Sequence, residues 1–504
     1  MRTAALGIVG GLVITLVPGQ AQAVDNVPSL TLRQGVTVGG ILAHERVLQR
    51  IANRNDGTRA SGTPGFGESA TYVIETMRRA GYNVRKQRFN FPFFRELAPA
   101  TLSQTAPTPT DYETGTFEYS GSGAVSGTVV PIDLVLPPPT EPGSTSGCEP
   151  GDFPAASATE DQVALIQRGT CDFAVKASNA AAAGYDAVII FNEGQEGRTG
   201  LIGGTLGAPA DLPVVDLAFA DGAALAAAAE AGPVTVDVTT STQSRVAKTW
   251  NIIASTKTGD ARRTVIVGAH LDSVVEGPGI NDNGSGTAAL LEIGQEMAKL
   301  KAKPRQRVRF AFWGAEESGL LGSTHYVESL SNLRLNRIKA NLNFDMIGSP
   351  NFVRFVYDGN GSAGGPVGPP GSAQIEQIFN RYFRVRDLQT SPTAFDGRSD
   401  YGPFIAAGIP AGGLFTGAEG VKTPEEAAAY GGTAGKAYDA CYHQACDDMT
   451  NLSTRALNQM GDAAAHAVWT LARTRTGFFG DGSLRSTRKV SARSLDYAGS
   501  HARR

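Results

Sequence analysis

The sequence has no strong excess of charge of either sign and no long apolar segment beyond its N-terminus. Among its 504 residues, 45 Lys and Arg stand against 48 Asp and Glu, for a formal net charge of −3. This balance argues against nucleic acid or an anionic membrane as a partner, because both attract strongly basic surfaces. After residue 23, no stretch is long and apolar enough to span a bilayer.

Two common enzyme signatures are also missing. There is no G-x-S-x-G pattern, which argues against a serine hydrolase with a nucleophile elbow. The segment YGGTAGKA (residues 430–437) is rich in glycine, but it lacks the spacing and the Ser or Thr that a P-loop requires. The sequence therefore favours neither serine-based hydrolysis nor nucleotide binding.

The N-terminus is typical of an exported protein. Arg2 precedes an apolar run over residues 4–17, and Ala21-Gln22-Ala23 follows as an A-x-A site. The run is shorter than the roughly 20 residues of a membrane-spanning helix. We therefore expect residues 1–23 to be a cleaved signal peptide, and the mature protein to be secreted, extracellular and free of the membrane.

Cysteine is scarce but even in number, which suits two disulfides in an exported protein. The four cysteines allow three pairings. We favour Cys148–Cys171 and Cys441–Cys446, because each of these pairs closes a local loop.

The length predicts two or three domains, at about 150 residues per domain. Composition shifts near residue 105, and residues 116–240 read as a β-rich module with one Ala-rich helix, inserted into a larger domain. We expect the larger domain to comprise residues 24–115 and 241–475. Residues 476–504 are polar and basic, and we expect this tail to be disordered or removed as a propeptide.

Beyond residue 251, strands and helices alternate, which predicts an α/β fold. TVIVGAH, RVRFAFWGAEE and ANLNFDMIG read as buried strands with polar residues at their ends. SGTAALLEIGQEMAKL reads as a helix with Ala289, Ile293, Met297 and Leu300 on one face. The expected fold is a mostly parallel, doubly wound sheet with helices on both faces.

Polar residues follow each of these strands. In doubly wound sheets, ligands bind outside the carboxyl ends of the strands, so these side chains are expected to meet at one rim. The strand-end residues, the glycine-rich loop after the first strand and the segment CYHQACDD supply these candidates: His270, Asp272, Asp282, Glu316, Glu317, Asp345 and His443.

Two histidines and three carboxylates suit two zinc ions if one carboxylate, such as Asp282, bridges them. Calcium would require more oxygen ligands and no histidine. Of the adjacent Glu316 and Glu317, one is expected to bind metal and the other to take the proton of an activated water. Asp272 is expected to accept the second ring N–H of His270.

Each candidate also has a structural explanation. A lone histidine at a strand end is more often structural, adjacent glutamates more often form a solvated surface, and Asp345 could be a helix cap. Their joint occurrence at successive strand ends favours the metal site.

Several ordered motifs then identify a family resemblance. GAHLDSV, GINDNGSGTAALLEI, RVRFAFWGAEESGLLGS, NFDMIG, DGRSDYGPF and CYHQACDD resemble the secreted two-zinc aminopeptidases of bacteria. These share a clan with glutamate carboxypeptidases and glutaminyl cyclases. The resemblance covers about residues 28–115 and 245–472. The insert resembles a protease-associated (PA) domain through RGTCDFAVKASNAAAAGYDAVIIFN and LPVVDL.

The resemblance implies roles for the metal ligands. His270 and Asp345 would bind one zinc, Glu317 and His443 the other, and Asp282 both, giving two Zn²⁺ per chain. The peptide bond after Asp282 is expected to be cis. Some relatives also bind calcium, which we do not map onto this sequence.

The resemblance also implies roles for residues that do not bind metal. Glu316 would be the general base, and Tyr442 would steady the oxyanion. Arg398 would line the substrate site, and Met346 and Phe415 would lie near the pocket for the first side chain.

The implied activity is removal of leucine-like residues from peptides with a free N-terminus by a monomeric enzyme. A carboxypeptidase or glutaminyl cyclase on the same scaffold is the alternative enzyme, because Arg398 could clamp a substrate carboxylate. A non-catalytic binding protein that uses the PA domain is the alternative outside enzymes.

Overall fold

The computed structural model describes residues 27–474. The predicted signal peptide and the predicted basic tail lie outside the described residues. Within residues 27–474, no helix is both long and apolar enough to cross a membrane.

Twelve α-helices and thirteen strands are formed within this range, together with a short 3₁₀ turn at Pro150–Asp152. The helices are α1 Leu30–Gly35, α2 Val38–Arg54, α3 Pro64–Arg79, α4 Phe173–Ala183, α5 Phe219–Ala231, α6 Gly286–Lys299, α7 Leu321–Glu328, α8 Asn332–Leu335, α9 Ser372–Arg384, α10 Gly402–Ala406, α11 Pro424–Tyr430 and α12 Thr454–Arg473. The strands are β1 Asn83–Ala106, β2 Thr110–Tyr112, β3 Gly123–Ile132, β4 Gln162–Gln167, β5 Ala187–Phe191, β6 Val214–Leu217, β7 Thr235–Ser255, β8 Asp260–His270, β9 Gln306–Trp313, β10 Ile338–Phe344, β11 Phe355–Tyr357, β12 Ser391–Thr393 and β13 Ala411–Phe415.

One mixed sheet runs through the molecule in the order β12-β11-β13-β10-β8-β9-β7-β3-β4-β5-β6, with β1 paired to β7 and β2. Its catalytic part is centred on β13, β10, β8 and β9, which are parallel. These strands are apolar almost throughout because helices cover both faces. The predicted fold class, an α/β sheet with helices and an inserted β-rich module, is confirmed.

A long antiparallel ribbon carries the insert. β1 pairs with β7 from Asn83–Ser255 to Ala106–Thr235, and the parallel strands β4, β5 and β6 continue from β3 at the far end of β7. The insert has its own apolar clusters, separate from the main cluster between α2, α3, α6, α12 and the catalytic strands. The boundary predicted at residue 240 falls inside β7, so the exact limits of the domains stay a prediction.

Helix α6 follows the glycine-rich loop and lies at the centre of the catalytic domain. It is buried around nearly its whole circumference up to Met297, because the sheet lies on one side and α2 and α3 on the other. The predicted helix extends through Leu300, one residue beyond the end of α6. This residue is 40% exposed, because α6 ends at Lys299 and Leu300 lies beyond the packed turns.

Two disulfides join Cys148 to Cys171 and Cys441 to Cys446. These are the two local pairings favoured by the sequence. The first lies in the insert and the second closes the short loop that carries His443.

Candidate metal centre and active site

Three neighbouring parallel strands end at the same rim of the catalytic sheet. β8 ends at His270, β9 ends shortly before Glu316, and β10 ends directly before Asp345. The order β10-β8-β9 places these ends side by side. The sheet therefore delivers one imidazole and two carboxylates to one point, as expected of a doubly wound fold.

Asp282 lies between two histidines from distant parts of the chain. Its Oδ1 is 3.0 Å from His270 Nε2, and its Oδ2 is 3.3 Å from His443 Nε2. The Asp282–Asn283 peptide bond is cis, as the resemblance implies. The main-chain N–H groups of Asn281 and Asp282 donate to the two oxygens of Asp447, at 2.8 and 3.0 Å. This loop presents each oxygen of Asp282 to a different imidazole.

One further carboxylate accompanies each histidine. Asp345 Oδ1 is 3.3 Å from His270 Nε2, and Glu317 Oε2 is 3.0 Å from His443 Nε2. Two ligands of a tetrahedral zinc with bonds of about 2.1 Å lie about 3.4 Å apart, so these spacings suit such ions. Asp345 Oδ1 and Glu317 Oε1 are buried, and neither has a hydrogen-bond partner among the described residues. A cation beside each of these atoms would satisfy it.

The main chain sets the orientation of His270. Its Nδ1 is 3.0 Å from the carbonyl oxygen of Asp272, which can only accept, so Nδ1 carries the proton. The lone pair of Nε2 then faces Asp282 and Asp345, as a metal ligand requires.

Within Asp272, the main-chain carbonyl rather than the carboxylate contacts the ring nitrogen of His270. The Asp272 carboxylate Oδ1 is 3.8 Å from His270 Nδ1 and instead accepts from the Glu316 N–H at 3.3 Å. The main-chain carbonyl already takes the ring proton, which leaves the carboxylate free to hold the next strand end.

Glu316 and Glu317 turn toward different histidines. Glu316 Oε2 is 3.9 Å from His270 Nε2, whereas Glu317 contacts His443. The divergence arises in the turn after β9, where Ala315 has a φ of 53°, rather than from strand alternation. Burial raises the pKa of Glu316 well above its usual value, although His270 opposes this shift.

The surrounding carboxylates also raise the pKa values of His270 and His443. Burial lowers the pKa of His443, but Glu317 and Asp282 outweigh it and raise the value to about 11. The pKa of His270 is likewise raised well above its usual value, because Glu316, Asp345 and Asp282 outweigh burial.

Tyr442 and Arg398 stand at the mouth of the site. The Tyr442 ring stacks on His443, with 3.8 Å between the ring centroids. Arg398 Nη2 donates to the Tyr442 hydroxyl at 3.2 Å, and Arg398 Nη1 donates to Glu419 Oε1 at 2.6 Å. Burial raises the pKa of Tyr442, so its hydroxyl is a proton donor at neutral pH.

A cleft with an internal volume of about 70 Å³ opens in front of these groups. The predicted substrate residues Met346, Phe415 and Arg398 line it, and so do the five predicted metal ligands, Glu316 and Tyr442. No residue from the insert lines this cleft among residues 27–474.

Sequence reasoning missed several residues around the site. Ser399 donates to Asp345 Oδ2 and accepts from Asn343 Nδ2 at 2.8 Å, so it fixes a predicted ligand. Both Ser399 and Asp396, another residue of the cleft wall, lie in TAFDGRSDYGPF. The density of polar residues in that segment was the available signal.

Arg59 was also missed, and no local pattern marks it. Its fully buried guanidinium donates to the main-chain carbonyls of Leu271, Pro278 and Gly279, with a distance of 2.8 Å to Pro278. These carbonyls belong to the loop between His270 and Asp282. Arg59 therefore fixes the loop that joins the first histidine to the bridging carboxylate.

Comparison with known proteins agrees with this geometry. Residues 251–468 match peptidase family M28, and residues 125–225 match the PA domain. An aminopeptidase of Pseudomonas aeruginosa is 48% identical over 443 residues, which cover 86% of this chain and 81% of the relative. Leucine aminopeptidase 2 of Trichophyton equinum is 38% identical over 89% of this chain and 86% of its own length.

Among solved structures, a zinc aminopeptidase from Bacillus subtilis superposes with a TM-score of 0.57 and 26% identity, covering 87% of this chain and 96% of that one. The predicted resemblance to bacterial aminopeptidases and to the PA domain is thus confirmed. The chain belongs to peptidase family M28 and is a metallo-exopeptidase, an aminopeptidase with an inserted PA domain.

Proposed function

We propose that this protein is an exported, zinc-dependent aminopeptidase that removes leucine-like residues from the free N-termini of peptides, acting as a monomer. The observation that carries the proposal is the position of Asp282, with one oxygen toward His270 and the other toward His443. A carboxylate shared in this way is the arrangement that two adjacent metal ions require.

His270 and Asp345 would hold one zinc ion, His443 and Glu317 the second, and Asp282 both. When bound, zinc supplies Lewis acidity for the scissile carbonyl and lowers the pKa of water at the site. The donor set of imidazole nitrogens and carboxylate oxygens suits zinc better than calcium, which prefers oxygen alone. The Bacillus subtilis neighbour is named as a zinc enzyme, which agrees with this choice.

Glu316 is the general base in this proposal. Its carboxylate lies near the metal ligands, at 3.9 Å from His270 Nε2, yet it is not the nearest carboxylate to either histidine. It can therefore take a proton from the attacking water and deliver it to the leaving amine.

Tyr442 is the proposed donor to the oxyanion. Its hydroxyl is held by Arg398 and its ring rests on His443, so the donor is fixed before substrate arrives. Such a preorganised donor acts on charge that develops only in the transition state.

The polarity of the cleft fits an N-terminal amine rather than a C-terminal carboxylate. The α-ammonium group of a peptide would meet Glu316 and Asp345, whereas a carboxylate would be repelled by them. Arg398, which could have clamped a carboxylate, already pairs with Glu419 at 2.6 Å. This pairing argues against the carboxypeptidase alternative.

The apolar part of the cleft supports the leucine-like preference. Met346, Tyr357, Phe415 and Ala418 line it beside the metal ligands. A branched aliphatic side chain would bury its surface against these groups. The fungal relative carries the name leucine aminopeptidase, which agrees with this preference.

Export is proposed from the signal-like N-terminus, and two disulfides suit an oxidising compartment.

Hydrolysis of leucine para-nitroanilide and of its N-acetylated form would test the proposal, with a chelator and then with added zinc. We expect only the free amine to be cleaved, activity to disappear with chelator, and zinc to restore it. Cleavage of the acetylated form, or full activity in chelator, would contradict the proposal.

A further inference from the structure

One acidic residue in the cleft wall has no part in the proposed chemistry. Asp396 lies in the segment between β12 and α10 and lines the same cleft as the metal ligands, Met346 and Phe415. We propose that Asp396 is a specificity-determining residue that lets the enzyme accept N-terminal lysine and arginine in addition to leucine-like residues. This inference rests on the proposed aminopeptidase function and concerns the side-chain pocket of the same site.

The position of Asp396 is fixed through one of its two oxygens. Oδ1 accepts from the Tyr401 hydroxyl at 2.6 Å and from the Arg398 N–H at 3.0 Å. Tyr401 is fully buried, and its hydroxyl also accepts from the Gly397 N–H at 3.0 Å. The carboxylate is exposed, yet its hydrogen bond to the buried Tyr401 fixes its position in the cleft wall.

The second oxygen, Oδ2, receives no hydrogen bond from any residue in the range 27–474. Asp396 is solvent-accessible, so this oxygen is available to a group that enters the cleft. An anchored carboxylate with one free oxygen is well suited to accept a charge-assisted hydrogen bond from an ammonium or guanidinium group.

The wall of the cleft suits the stem of a long basic side chain. Met346, Tyr357, Ala394 and Phe415 supply apolar surface to the cleft that the metal ligands and Asp396 also line. Lysine and arginine bury their methylene groups on such surfaces and keep the charged end at a polar group. Tyr357 also packs against Tyr401, the anchor of Asp396, with 4.6 Å between ring centroids.

The charge of Asp396 is not neutralised by the nearby cation. Arg398 is the only Lys or Arg that lines the cleft in the described part of the chain. Its guanidinium pairs with Glu419 and donates to Tyr442, whereas only its main-chain N–H contacts Asp396. The side-chain pocket therefore keeps a net negative group that a basic residue can complement.

If Asp396 had only a structural role, that role would require only Oδ1, the oxygen that accepts from Tyr401 and Arg398. Asp396→Asn retains a side-chain oxygen for Tyr401 and Arg398 and removes the negative charge, so it separates the two roles. The matched control is Asp161→Asn, which removes the same charge from the exposed surface of the insert.

The experiment measures kcat/KM for the para-nitroanilides of lysine, arginine, leucine and norleucine. Norleucine has an unbranched apolar chain that controls for length. We expect the wild type to cleave all four, and Asp396→Asn to lower the lysine-to-norleucine ratio of kcat/KM at least tenfold. The control variant should leave the ratio unchanged.

Equal loss on lysine and norleucine in Asp396→Asn, or a wild type that cleaves leucine but not lysine, would overturn the inference. A wild type that cleaves none of the substrates would instead contradict the proposed function. Should Asp396→Asn fail to fold, the salt dependence of the wild type decides. The lysine-to-norleucine ratio should fall several-fold between low and high ionic strength, and a constant ratio would overturn the inference.

Discussion

The insert and the catalytic domain both bury carboxylates at the ends of strands, but they treat them differently. In the insert, Glu193 receives hydrogen bonds from the N–H groups of Gly143 and Ser144 at 2.7 and 2.8 Å and pairs with Arg198 at 2.7 Å. In the catalytic domain, Asp345 Oδ1 and Glu317 Oε1 are buried without a hydrogen-bond partner. Protein groups therefore satisfy the Glu193 carboxylate, whereas one oxygen each of Asp345 and Glu317 is left without a hydrogen-bond donor among residues 27–474.

A second acidic residue of the insert, Asp216, also receives hydrogen bonds from protein groups on both of its carboxylate oxygens. Asp216 Oδ1 accepts from the Gly115 N–H at 2.6 Å, and Oδ2 accepts from the Ile202 and Gly203 N–H groups at 2.8 and 2.9 Å. Buried charge alone therefore does not mark a functional site. Carboxylates that converge on one point and keep buried oxygens without a hydrogen-bond donor do, because such groups are costly unless a cation joins them.

The largest expected effect comes from Glu316→Gln in the catalytic domain. We expect kcat to fall by roughly 10³-fold, because the variant keeps the shape of the side chain but cannot accept a proton. Zinc content should persist. In chelator-treated protein the thermal midpoint should not fall, since a crowded buried carboxylate has been replaced by a neutral group. Steady-state kinetics, metal analysis and calorimetry measure the three quantities.

Loss of zinc from Glu316→Gln would show that Glu316 binds metal, and near-normal turnover would show that another group is the base.

Glu193→Gln in the insert should lower stability and leave kcat unchanged, the reverse of what we expect for Glu316→Gln. We expect it to lower the free energy of unfolding by roughly 2–4 kcal/mol, because it breaks the ion pair between the fully buried Glu193 carboxylate and the partly exposed Arg198. The kcat of the folded enzyme should not change, since Glu193 lies outside the cleft. Denaturant unfolding and kinetics on the same preparation provide the test. A large loss of kcat with unchanged stability would contradict the comparison.

The smallest expected effect concerns His44, a buried histidine of the catalytic domain whose two ring nitrogens both contact side chains of the protein. His44 Nδ1 is 2.6 Å from the Tyr72 hydroxyl, and Nε2 is 3.1 Å from Gln295 Oε1. Burial lowers the pKa of His44 from 6.5 to about 4. As the pH falls below 6.5, the unfolded chain gains this proton before the folded protein does, so stability is lost between pH 6.5 and 4.

We therefore expect His44→Gln to reduce the loss of stability between pH 7 and pH 4 by roughly 2–3 kcal/mol, since one pKa unit is worth about 1.4 kcal/mol. Urea unfolding of both proteins across this range measures the difference. Parallel pH profiles for the two proteins would show that His44 does not titrate in this way.

The residues at the rim of the sheet could be predicted, because the end of a strand can be recognised from a short stretch of sequence. His270, Glu316 and Asp345 each follow a recognisable apolar strand, and the parallel order brings them together. Arg59 could not be predicted in this way, because it lies more than 200 residues before the loop that it holds.

The atomic partners were also beyond the sequence. Whether the carbonyl or the carboxylate of Asp272 meets His270 depends on the path of the chain after β8. The end of α6 before Leu300 likewise follows from packing rather than from periodicity, which continues through that residue. Patterns thus indicated which residues meet, whereas the tertiary structure determined which atoms do.

The most direct test of the central claim is the zinc content per chain of the purified wild type and of His443→Ala, measured by mass spectrometry of the metal after dialysis against trace zinc. We predict two zinc ions per wild-type chain and one in the variant, because His270, Asp345 and Asp282 would still hold theirs. A wild type with less than one zinc per chain, or equal zinc in both proteins, would contradict the account.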